Sequence, residues 1–417
     1  RLYGCAIHTA MVSPLDEVLD SAEAMAWSDL RDRTLCDACL GRLLGKAGHG
    51  LANPERGRGI RDRFRLPVGE PCWVCRGLID EMSEFVDLVE GRLAGWEFAT
   101  FLIGSRVDPE VAAREETLWR ELGATYAEAI KSELNREIGK RLSERLQKEP
   151  DFGRPELVAI VDTAFGVVDV QVNPLFIRGR YRKLSRGIPQ TRWPCRRCRG
   201  KGCEHCGGKG KMYETSVEEV IASAVMAQTA GTGHALHGMG REDVDALMLG
   251  RGRPFVVEIK EPQRRAVDLA VVEEAVNRSG LVEVRDLRPA TGADVIAIKE
   301  DRASKIYRVL IRFSQPVTDG KVKGGIPSLV GRPIAQRTPA RVSHRRADRV
   351  RERTVSAIDV IRFDGTTAEL RVIAEAGTYV KELVHGDRGR TTPSLAEVLG
   401  VACEVVELDV LDIQDTG

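Results

Sequence analysis

Gly240-Arg241-Glu242-Asp243-Val244-Asp245, continued by Leu249-Gly250-Arg251-Gly252-Arg253-Pro254-Phe255, crowds charge behind a glycine and then turns apolar through Lys260. A polar, glycine-flanked stretch running into a β-branched run reads as a loop entering a sheet. Taken alone, a solvated loop would account for it. Further along, Lys305-Ile306-Tyr307-Arg308-Val309-Leu310 alternates, which puts Tyr307 and Val309 on one face of a strand. A last strand is expected over 403–410.

Upstream, the twenty residues from Val172 to Thr191 open a strongly basic window. Between Arg178 and Lys211 there are twelve Lys or Arg against one acid, Glu204. The net charge of the whole chain is +1, so the window's +11 is offset by −10 over the rest. A local field of that size suits a polyanion, and the interleaved Tyr181 and Trp193 favour nucleic acid. The alternative is a solvated basic loop. A second basic stretch, Arg332 to Arg353, holds eight Arg and two acids and includes Arg337, Arg345 and Arg346. It reads as a loop that grips nucleic acid rather than as a plain solvated helix.

Eight of the ten cysteines form C-x-x-C pairs: Cys36/Cys39, Cys72/Cys75, Cys195/Cys198 and Cys203/Cys206. The first residues lack a signal-peptide pattern, so these pairs read as metal knuckles rather than disulfides. The second set is a tandem C-x-x-C-x-G-x-G whose glycines let the backbone curl around sulfur. Each quartet is expected to hold a structural Zn2+, because four thiolates leave no open position for catalysis. Unliganded thiols, or buried hydrophobic pairs for the first set, are the bland alternatives.

The 417 residues predict several domains, and 42% hydrophobic with 30% charged residues is a globular composition. No apolar run is long enough to span a membrane. Helices are expected over 13–27, 76–97 and 216–230, the last capped by Ser216, and a Gly/Arg-rich loop over 45–62. Leu118, Leu122, Tyr126, Ile130, Leu134, Ile138, Leu142 and Leu146 recur every four residues. Such a ladder winds around a straight helix, so a break or bend near Gly139, or a helix wrapped by neighbours, is expected. Residues 99–107 read as a strand and 156–172 as two. Gly231-Thr232-Gly233-His234-Ala235-Leu236-His237-Gly238 has the wrong glycine spacing for a dinucleotide loop, so no nucleotide cofactor is expected.

Three motifs carry a family resemblance. Gly240-Arg241-Glu242-Asp243 is similar to the catalytic-aspartate loop of pseudouridine synthases. The K-x-Y strand at Lys305–Tyr307 and Gly377-Thr378-Tyr379-Val380-Lys381-Glu382-Leu383 resemble the family's other active-site motifs, in the family's order. Residues 172–191 after their strands look like a THUMP domain. Together they resemble the archaeal and eukaryotic synthases that modify uridines 54 and 55 of the tRNA T-arm, and the tandem cysteine repeat looks archaeal.

The resemblance implies Asp243 as nucleophile, with Lys381 as its cationic partner and Tyr307 against the base. Arg241, Tyr379, Val380 and Leu408 would line the substrate. Arg178, Arg180, Tyr181, Arg182 and Lys183 would bind tRNA from the THUMP side as a remote anchor. The fold expected is α+β, with four parts: a zinc-knuckle region at 1–90, a THUMP-type domain at 91–194, a zinc linker at 195–211 and a catalytic domain at 212–417. That domain would have a mixed, mostly antiparallel sheet. A cytoplasmic monomer acting on tRNA, with no catalytic cofactor, is expected. A non-catalytic zinc-dependent tRNA-binding adaptor or RNA chaperone is the competing reading, in which Asp243 would be dispensable.

Overall fold

The computed structural model describes residues 14–23, 30, 33–47, 49–68, 70–123, 125–343 and 347–415. The chain forms two units, divided between Asn173 and Pro174.

The first unit contains α1 (Pro14–Glu23), α2 (Asp37–Arg42), α3 (Asn53–Phe64), α4 (Met82–Leu93), β1 (Thr100–Arg106), α5 (Pro109–Leu122), α6 (Ile130–Leu146), β2 (Glu149–Pro150), β3 (Leu157–Asp162) and β4 (Val167–Val172). Its sheet has the order β2-β1-β3-β4, with β1 and β3 parallel and β3 and β4 a hairpin. The expected loop at 45–62 is in fact largely helix α3. Its glycines serve close packing. A Cβ at Gly57 would lie 1.9 Å from the Asp37 carbonyl oxygen, and one at Gly41 would lie 1.8 Å from that of Asn53. The four-residue ladder breaks at Gly123, a left-handed cap, and Gly139 sits inside α6. Leu118 and Leu122 then face the core from α5, and Ile130, Leu134, Ile138 and Leu142 from α6. The knuckle region and the THUMP-type strands share one core from Val18 to Val168, so they are not separate domains.

The second unit contains β5 (Leu175–Lys183), α7 (Val217–Thr229), β6 (Gly233–Gly238), β7 (Met248–Lys260), α8 (Leu269–Asn277), β8 (Val282–Ala290), α9 (Gly292–Glu300), β9 (Lys305–Phe313), α10 (Asp319–Gly325), β10 (Pro333–Arg337), β11 (Val350–Phe363), β12 (Thr367–Ala374), α11 (Val380–His385), β13 (Thr391–Thr392), α12 (Leu395–Leu399) and β14 (Cys403–Ile413). The sheet runs β13-β10-β11-β12-β9-β14-β7-β5-β8, with β6 also on β7, and is antiparallel except where β14 meets β7. Ser216 caps α7 by accepting from the Glu219 amide, as its sequence position predicts.

Strand β5 corrects the expected boundaries. Residues 175–183 pair with β7 and β8, so the first half of the basic window belongs to the sheet of the second unit and not to a THUMP domain. The cysteine repeat at 195–211 is likewise an insertion within this unit rather than a linker between units. Along β5, Ile177, Gly179 and Tyr181 are buried in alternation with Arg178, Arg180 and Arg182, and each of these Arg finds an acid far away in sequence.

Candidate active site

The loop between β6 and β7 carries Asp243. Its side chain is 32% exposed, against 69% for Asp245. Two cations reach Asp243: Arg341 Nη1 at 3.1 Å and Lys381 Nζ at 3.3 Å. Lys381, at the start of α11, also lies 2.9 Å from Asp245. Burial works against ionisation of Asp245, but the Lys381 ammonium holds its carboxyl below the usual range. Arg341 Nε donates to buried Glu382 at 2.7 Å, so one guanidinium bridges Asp243 and α11.

The loop is supported from below. Glu242 and Arg253 form an ion pair at 2.9 Å with side chains 0% and 1% exposed. The Tyr181 hydroxyl donates to Glu242 at 2.9 Å, and Gln190 Nε2 donates to both that hydroxyl and the Gly240 carbonyl. Lys183 Nζ donates to the carbonyls of Ile188, Asp243 and Val244 at 2.9–3.0 Å. Burial pushes its ammonium below its ordinary pKa. Arg186 Nη1 donates to the Asp245 carbonyl at 2.7 Å. Tyr181 and Lys183 are therefore fully enclosed supports of the loop, which corrects the expectation that they grip RNA.

Tyr307 points into the same layer from β9. Burial is the main reason its phenol is pushed up to about 12, and the Asp243 charge adds to it. The hydroxyl is thus a neutral donor at ordinary pH. Leu408 on β14 pairs with Val309, two residues from Tyr307 and on its face. Gln336, buried on β10, clasps the Tyr379 backbone, accepting from its amide at 2.9 Å and donating to its carbonyl at 3.0 Å. Val380 is buried in the core. Beside Arg341 opens a cleft of about 940 Å3, with Arg337, Glu382, His385, Arg388 and Arg390 in its wall. There Asp387 and Arg388 both hold left-handed backbone, φ 46° and 57°, strained for residues with a Cβ. Arg337 is paired with Asp348, and Arg345 and Arg346 lie outside the described residues.

Sequence reasoning missed Arg341, Glu382, Glu242 and Arg253 as a connected set. Arg341 lay within the second basic stretch and Glu382 within the third motif. Nothing in local spacing links them across the chain.

Both cysteine quartets come together, with all four Sγ atoms of each within 4.8 Å of one another. Tetrahedral Zn–S bonds of about 2.3 Å imply S–S edges of about 3.8 Å. Cys36–Cys75 is 3.7 Å, Cys203–Cys206 is 3.8 Å, and Cys195–Cys203 and Cys198–Cys206 are 3.9 Å. Donor set and spacing fit such an ion. In the first quartet Arg42 Nη2 donates to Cys39 Sγ at 3.2 Å, and its guanidinium also pairs with Glu133 at 3.0 Å.

Comparison with known proteins matches residues 176–414 to the family model described as Pus10, C-terminal, and residues 85–162 to that described as Pus10 THUMP domain, archaeal. A protein of Methanothrix thermoacetophila named tRNA pseudouridine synthase Pus10 is 43% identical over 92% of each chain. Proteins of the same name from Halorubrum lacusprofundi and Methanothermobacter marburgensis are 43% and 45% identical. They are matched over 91% and 92% of this chain and over 93% and 96% of their own.

Proposed function

This chain belongs to the Pus10 family, and from that premise we infer that it is a tRNA pseudouridine synthase acting on uridine 54, uridine 55 or both in the T-arm. The observation that carries the mechanistic reading is Asp243 held between Arg341 and Lys381 on a loop braced from below. In the reaction the N1–C1′ bond breaks, C5 bonds to C1′, C5 gives up a proton and N1 gains one. No redox equivalent or activated donor is consumed, so a carboxylate nucleophile suffices. Asp243 attacks the target at C1′ or C6 after the uridine leaves its stack.

The other residues divide the work. Arg341 and Lys381 balance the carboxylate and fix its direction, which is the larger part of what positioning gives. Tyr307 offers a flat face to the base and a proton-bearing hydroxyl, and Leu408 supplies apolar contact beside it. Tyr379 is held at the helix start by Gln336 and faces the substrate beside Lys381. Arg241 precedes the nucleophile and contacts the displaced nucleotide's neighbourhood. The two cysteine quartets bind structural Zn2+ and take no part in the chemistry.

Mapping pseudouridine on unmodified tRNA tests this. Asp243→Asn is expected to abolish the product while tRNA affinity stays within a few-fold, since phosphate contacts elsewhere dominate binding. Asp245→Asn retains substantial activity because Asp243 keeps both cations. The reverse pattern would assign the nucleophile to Asp245, and no product from the wild-type protein itself would favour a non-catalytic adaptor.

A further inference from the structure

The basic window divides in two once its side chains are followed. In the half on and just after β5, Arg178 pairs with Asp294 at 2.8 Å, Arg180 with Asp415 at 2.6 Å, Arg182 with Glu283 at 2.7 Å and Arg186 with Asp409 at 2.7 Å. Their charge is spent inside the protein. At the far end, Arg192 and Lys211 pair with Glu219, and Lys209 with Glu214. Between them, Arg196, Arg197, Arg199 and Lys201 are exposed. Among the described residues, no ion pair involves any of these four.

These four sit on the first half of the tandem cysteine repeat, which is tightly built. A Cβ at Gly210 would lie 2.3 Å from the Gly200 carbonyl oxygen, and one at Gly202 would lie 2.6 Å from that of Gly208. The two half-repeats therefore interlock, and the cationic turn is ordered before any ligand arrives, which lowers the entropy lost on binding. The root of the module is fastened to the catalytic loop. Pro194 bridges Lys211, Trp193 packs edge-on against Tyr213 at 5.5 Å, and the Arg241 guanidinium lies 5.4 Å over the Trp193 ring. Arg241 is two residues from Asp243.

We propose that Arg196, Arg197, Arg199 and Lys201 form a phosphate-binding patch that holds the RNA backbone beside the catalytic loop. The paired arginines of β5 contribute little to it. The proposal rests on the tRNA reading above, and it moves the polyanion site from the strand to the turn of the cysteine repeat. Each phosphate contact contributes about 0.7–0.9 to the log–log salt slope of affinity.

The test is binding of unmodified tRNA to the full chain across a salt series. A variant with Gln at all four positions should flatten the slope by about 3. Arg196→Gln with Arg197→Gln should flatten it by about half as much and guards against a quadruple variant that folds poorly. Metal content and unfolding midpoint, expected to match the wild type, report that the module is intact. A slope within about 0.5 of wild type in a metal-loaded variant overturns the patch. Failure of the tRNA reading looks different: wild-type protein then yields no pseudouridine, whatever the slopes do.

Discussion

Glu242→Gln is the sharpest probe of the support beneath the Gly240–Asp245 loop. The substitution keeps size and hydrogen-bonding atoms but removes one charge from a pair whose side chains are 0% and 1% exposed. Arg253 is left without its counter-charge, and water cannot screen it. Lys183 and Lys305 are both close enough that the Arg253 charge lowers their pKa, so three cations would share one buried layer. Breaking a buried pair on one side costs about 3–5 kcal/mol, and the two neighbouring cations place this case at the upper end. The assay is urea unfolding at neutral pH, followed on the transition of the second unit. Because Glu242 adjoins Asp243, pseudouridine formation at permissive temperature should also fall by about 10–100-fold. Removing both charges, with Glu242→Met and Arg253→Leu together, should recover much of the stability. A loss below about 1 kcal/mol with unchanged turnover would refute the idea that this pair carries the loop.

Arg341→Gln should lower kcat by about 10–100-fold, the worth of a charge-assisted hydrogen bond to the carboxylate, with a smaller change in tRNA affinity. Arg341→Lys should restore part of it, and an effect confined to KM would count against a positioning role. Lys305 is lowered to about 8, mainly by burial with Arg253 adding to it, against an ordinary 10.5. The native state therefore loses this proton first, and the unfolded chain binds more protons over that window. Stability should rise as pH climbs from about 8 towards 10.5. Lys305→Met should raise stability at neutral pH and flatten the rise, and a melting curve series parallel to wild type would contradict this. Elemental analysis should find about two zinc ions per chain, falling by one in Cys198→Ser with the first quartet still loaded.

Motifs built from neighbouring residues are legible in the sequence. The Gly240–Asp245 loop, the Tyr307 strand and the tandem cysteine repeat at 195–206 each owe their form to residues within a few positions. What spacing could not convey is who neutralises whom. Arg341 meets Asp243 across 98 positions, and Arg180 meets Asp415 across 235. A run of arginines looks the same whether its partners are the phosphates of a ligand or distant carboxylates, and so the sequence points β5 at RNA and at the wrong unit. Helix α3 was hidden for another reason. The glycines of 45–62, Gly57 among them, read as breakers, yet the missing side chains of Gly57 and of Gly41 on α2 are what let α2 and α3 touch.

The position of β14 has a consequence for biosynthesis. It lies between β9 and β7, and it is translated after every other strand of that sheet. Until residues 403–413 leave the ribosome, the array from β13 to β9 and the array around β7 have no strand to join them. Asp409, which accepts from the Leu247 amide at 3.0 Å and pairs with Arg186 and Arg308, arrives with that strand. The nascent chain thus carries two open sheet edges late into synthesis, a state prone to strand-to-strand association. The first unit, whose core closes within residues 18–168, can finish folding well before. Ribosome-bound intermediates should therefore show a protected first unit and a protease-sensitive second one, with sensitivity ending abruptly once β14 emerges.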